Sequence, residues 1–116
     1  MFERFWRKQV IRPSLNSEVD LAVTEQKAVL AKDPNNANAY FALGTLTQFQ
    51  HDVDQAIQYF TKSIELDASA YAPHLSLGRI YAVRGDYDAA WKHARIAESL
   101  GARDLVEMLE RYPNLK

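Results

Sequence analysis

Cysteine is absent from the 116-residue chain, which excludes disulfides, thiolate metal sites and thiol nucleophiles. The four glycines are scattered, so no glycine-rich loop is available to cradle a phosphate. No apolar run approaches the ~20 residues that would span a bilayer. Arg4, Arg7 and Lys8 interrupt the uncharged apolar core that a secretory signal needs, and the expectation is a cytoplasmic protein. Charge of one sign is also lacking. The net value is −1, so no global field points to nucleic acid or to a membrane. Sustained period-two alternation is missing throughout, and no sheet is expected.

What is present is an ordinary apolar content of 47%, enough for one folded domain with a single core. Residues 1–16 carry Arg4, Arg7, Lys8 and Arg12 against Glu3, a balance of +3, while the rest of the chain sums to −4. The first sixteen residues are therefore a separate basic, aromatic segment. Beyond them, apolar residues recur at helical spacing, and the pattern predicts helices at about 18–32, 37–50, 53–66, 71–84, 87–100 and 103–112. Pro34 stops a helix, Pro73 sits in a first turn, and Gly85 and Gly101 fall where a left-handed residue closes a helix. Connections of two to four residues force neighbouring helices antiparallel.

The same residues return at an interval of 34: Leu43-Gly44 as Leu77-Gly78, Asp52 and Asp54 as Asp86 and Asp88, Ala56 as Ala90. A period of this length is the signature of stacked helical hairpins. On these residues, with Tyr40, Tyr59-Phe60, Tyr81, Ala97 and Asp33-Pro34, the chain resembles the tetratricopeptide repeat family over roughly residues 17–104. The resemblance implies an all-α, right-handed stack of antiparallel helical hairpins, about two and a half repeats with a C-terminal cap. Residues 17–36 form a half repeat, 37–70 and 71–104 two full repeats, and 105–116 a capping helix and tail. Ala68 and Ala102 depart from the family's usual proline, Thr47 from its usual aromatic, and Ala94 from its usual large residue. A mid-helix glycine costs ~1 kcal/mol against alanine. Carrying it at both Gly44 and Gly78 predicts close helix crossings, facing Ala56 and Ala90 or their neighbours.

Residues that could carry chemistry read more simply as structure. The acid pairs Asp52/Asp54 and Asp86/Asp88 open helices, where carboxylates cap backbone N–H groups. His51, His74 and His93 lack the spacing of a metal pair on one helix face, and His74 falls at a core position. Ser76 near His74 has no orienting acid. The chain is expected to be no enzyme and to need no cofactor or metal.

In the family, the first helix of each unit lines a concave groove that holds peptides. The resemblance therefore implies a groove formed by Asn38, Phe41, Thr45, Gln48, Phe49, Ala72, Leu75, Arg79, Ala82 and Val83. Phe41, Phe49, Leu75 and Val83 would make it apolar. Family members that clamp a C-terminal carboxylate use lysines and asparagines where Phe41, Thr45 and Ser76 stand here, leaving only Arg79 to meet a carboxylate. The leading expectation is an adaptor that binds a protein or peptide partner in this groove. The alternatives are a homo-oligomer stacking through its terminal repeats, or attachment to a membrane surface through residues 1–12. On a helix, that segment would place Phe2, Phe5, Trp6 and Val10 opposite Arg4, Arg7 and Lys8. The same segment could equally pack on the domain as an eroded first helix, or fill the groove.

Overall fold

The computed structural model of the chain describes residues 14–111. Within them six helices follow one another and no strand forms: α1 (Ser14–Lys32), α2 (Ala37–Phe49), α3 (Val53–Leu66), α4 (Ala72–Arg84), α5 (Tyr87–Ser99) and α6 (Asp104–Glu110). Each helix packs on the next, and α6 also reaches α4. The architecture is the all-α stack of helical hairpins that the 34-residue interval predicts. One boundary differs: α1 begins at Ser14, inside the segment set apart at residues 1–16. The readings made for residues 1–12 concern a stretch outside the described residues.

Helix starts follow capping chemistry. Asn36 Oδ1 accepts from the Ala39 N–H at 3.0 Å, Asp52 from Gln55 at 3.2 Å and Asp86 from Ala89 at 3.3 Å. Asp54 and Asp88 lie in the first turns of α3 and α5, as the acid pairs predicted. Each such cap stabilises by ~1 kcal/mol. The first turn of α4 has Pro73 and no side-chain cap. Between α3 and α4, where a proline would be usual, Asp67 accepts from the Ser69 hydroxyl at 2.6 Å and its N–H at 3.0 Å. That turn is thereby closed by a side chain, and the Ser69 hydroxyl and amide hold the Asp67 carboxyl below its ordinary pKa. Gly85 and Gly101 both have positive φ, 85° and 110°, and so does His51, at 66°. His51 stands 34 residues before Gly85, at the same place in the repeat.

The core runs through both hairpins. Leu43, Phe60, Leu105 and Leu109 are fully buried, each stabilising by about 1.5–3 kcal/mol relative to exposure. A Cβ on Gly44 would lie 2.6 Å from the Phe60 ring, so the glycine exists to admit that ring. The expected neighbour, Ala56, is buried close by in the Phe60 cluster without being the group that limits Gly44. At Gly78 the expected approach to Ala90 is present, since a Cβ there would lie 3.4 Å from the Ala90 carbonyl oxygen, but the Leu105 side chain presses harder. The reason lies in the repeat: Ala94 stands where the preceding unit has Phe60 and is too short to cover the glycine. Leu105, arriving from α6, covers it instead. The capping helix thus completes a core position that the second repeat leaves unfilled.

Candidate functional site

The groove residues divide by environment. Asn38, Thr45, Gln48, Phe49, Arg79 and Val83 are exposed; Phe41, Ala72 and Ala82 are half-buried. Leu75 departs from its expected exposure. It is only 8% accessible, buried in the cluster with Ala90, Leu105 and Leu109, because α6 packs across α4 and α5 at that end. Phe41 is also less available than expected, its ring lying 5.6 Å from that of Phe60. Among the groove residues, large apolar exposure is concentrated at the C-terminal ends of α2 and α4, where Phe49 is 55% and Val83 89% accessible.

At that end a cavity of about 180 Å³ opens between α2, α3 and α4. Gln48, Arg79 and Val83 line it together with Val53, Ile80 and Arg84. Ile80, 5% accessible, belongs to the Phe60 core cluster and gives the cavity a fixed apolar wall. Val53 and Val83 supply the other apolar surfaces. Arg84 Nη2 donates to Asp54 Oδ1 at 2.8 Å, tying the end of α4 to the start of α3. Both side chains are substantially exposed, so this pair contributes only about 0–1 kcal/mol. Arg79 forms no ion pair among the described residues. The sequence reading missed Val53, Ile80 and Arg84, because they join the site only through the way consecutive hairpins stack.

The second chemically distinctive cluster is a histidine pair. His74 Nδ1 lies 3.0 Å from His93 Nδ1, and Tyr81 stacks on His93 at 5.7 Å with an 11° interplanar angle. One ring must donate through Nδ1 while the other accepts, which requires the accepting ring to be neutral. Burial pushes the His74 pKa down, and burial, then His74 and Lys92, lower that of His93 to about 4. Among the described residues, no group of three or more His, Asp or Glu is placed to hold a metal ion. A signal for the pair existed in the sequence. Tyr40 and Tyr59, whose rings meet at 6.1 Å in the first full repeat, stand 34 residues before His74 and His93.

A stack of capped helical hairpins with an open face at one end belongs to the class of helical repeat proteins. More specifically, a family model described as tetratricopeptide repeat matches residues 26–58, the end of α1 through the first turns of α3. A solved structure, described as a MamA RS-1 ArsTM double mutant, is similar with a TM-score of 0.66 and 25% identity. The match covers 82% of this chain and 53% of that one, so this chain spans about half its length. Comparison with curated proteins gives no match. Residues 26–58 thus match a tetratricopeptide repeat, and the stacked helical hairpins around them have the kind of fold that serves as a protein-interaction or scaffold module. Among the described residues, no helix is long and apolar enough to cross a membrane.

Proposed function

We propose that the chain is an adaptor that binds a partner segment across the face shared by α2 and α4, centred on Phe49, Arg79 and Val83. The observation that carries this reading is the coincidence of the two most exposed groove hydrophobics with the cavity that Val83 and Arg79 line. Exposed apolar surface beside a preformed pocket is a common mark of an interaction site. Gln48 and Asn38 extend the polar border along α2, and the half-buried Ala72 and Ala82 keep α4 approachable. Phe41 supports the groove from beneath through Phe60. A binding test should therefore spare it, because truncation there would disturb the core. Capture of partners from a lysate of the source cells, compared between the wild type and Phe49→Ala/Val83→Glu, tests the reading. Loss of the specific partners with an unchanged melting curve is expected; undiminished capture would move the site elsewhere.

A second reading, self-association, rests on α1. Leu21 is 61% and Val29 38% accessible, and Ala28 is exposed between them. These residues lie along an exterior strip of a helix that packs on α2. A second copy of the chain could cover that strip.

A further inference from the structure

We infer that the partner segment, if the groove reading above is right, is acidic: it inserts one large apolar side chain into the cavity between α2, α3 and α4 and places a carboxylate on Arg79. The size of the cavity argues the first part. At about 180 Å³ it is close to the volume that admits a benzene-sized group, and it is too small for more than one such side chain. Its apolar surfaces are Val53, Ile80 and Val83, so a leucine or phenylalanine is the suitable guest. Charge argues the second part. Two guanidinium groups line the cavity, and of these two only that of Arg84 has an acidic partner, Asp54, among the described residues. The local balance is one cation in excess, and a carboxylate meets a guanidinium through two parallel hydrogen bonds. The Arg84–Asp54 pair adds a particular consequence. Asp54 occupies, from within the chain, the kind of carboxylate position that the partner would seek. A second acidic residue on the partner would compete with Asp54 for Arg84. Removing the Asp54 charge should therefore tighten binding.

The test is selection of a displayed library of random twelve-residue peptides on the full chain, followed by affinity measurement on Arg79→Gln, Asp54→Asn and Val83→Glu. All three positions are exposed, and melting curves check that each variant folds. The expected outcome is enrichment of a leucine or aromatic residue within a few positions of Asp or Glu. Binding should weaken at least about tenfold in Arg79→Gln and with added salt. In Asp54→Asn it should tighten by up to about fivefold. Peptides that lose binding on Val83→Glu yet carry no acidic residue overturn the acidic assignment and leave the groove reading intact. Affinities unchanged in both Arg79→Gln and Asp54→Asn overturn it equally. Peptides indifferent to Val83→Glu, or a selection that enriches none, overturn both readings.

Discussion

His51 shows how a single residue can hold a repeat position at a cost. Its φ of 66° is a left-handed conformation, and the equivalent residue one repeat later is Gly85, at 85°. A side chain in that region costs ~1–2 kcal/mol, part of which glycine gives back through a freer unfolded chain. His51→Gly should therefore stabilise the protein by about 0.5–1 kcal/mol, read as a higher denaturation midpoint. An unchanged or lowered midpoint would show that the His51 side chain contributes something the backbone does not reveal. Gly44 makes the opposite case. Alanine gains about 1 kcal/mol in helix propensity, but its methyl would meet the Phe60 ring at 2.6 Å, and that ring is fully buried. Gly44→Ala should therefore destabilise by about 1–2 kcal/mol in thermal or urea denaturation, overpacking outweighing propensity. That two glycines mark close crossings was legible in the sequence. Which groups press on them was not, because helical spacing names a face and not the atom opposite it.

Between helices, the first full repeat joins α2 to α3 through Tyr40 and Tyr59, and the second joins α4 to α5 through His74 and His93. The histidine pair gives the second hairpin a pH dependence. Tyr81 faces His93 from α4, Lys92 acts on it from α5, and Leu105 of α6 lies against the same crossing at Gly78. An unfolded histidine binds its proton near pH 6.5, whereas folded His93 binds it only near pH 4. Unfolding consequently takes up protons between those values. Stability contributed by the neutral pair is complete above about pH 6.5, declines as acid is added and levels off below about pH 4. The urea midpoint of the wild type should fall from pH 7 to pH 4.5, and His74→Tyr/His93→Tyr should flatten that fall while remaining folded. An equally steep fall in the double variant would place the acid sensitivity elsewhere. Each histidine was visible in the sequence, and the 34-residue interval contained their pairing, but only once Tyr40 and Tyr59 were seen to touch.

For the molecule as a whole, the α1 strip predicts association: light scattering across concentration should show a larger species that Leu21→Glu shifts to monomer. A monomer at every concentration would remove self-assembly and leave the α2–α4 face as the site of interaction. The interval of 34, the caps Asp52 and Asp86, the turns at Gly85 and Gly101 and the all-α stack were determined by sequence alone. Each depends on residues close in the chain or on a period that repeats, and both leave their mark in one dimension. Tertiary structure alone decided that Leu75 is buried beneath α6, that Leu105 fills the space Ala94 leaves over Gly78, and that Val53, Ile80 and Arg84 join Arg79 and Val83 around one cavity. These outcomes are set by the offset between consecutive hairpins. Side-chain volumes across the whole stack fix that offset together, and no single stretch of sequence contains it.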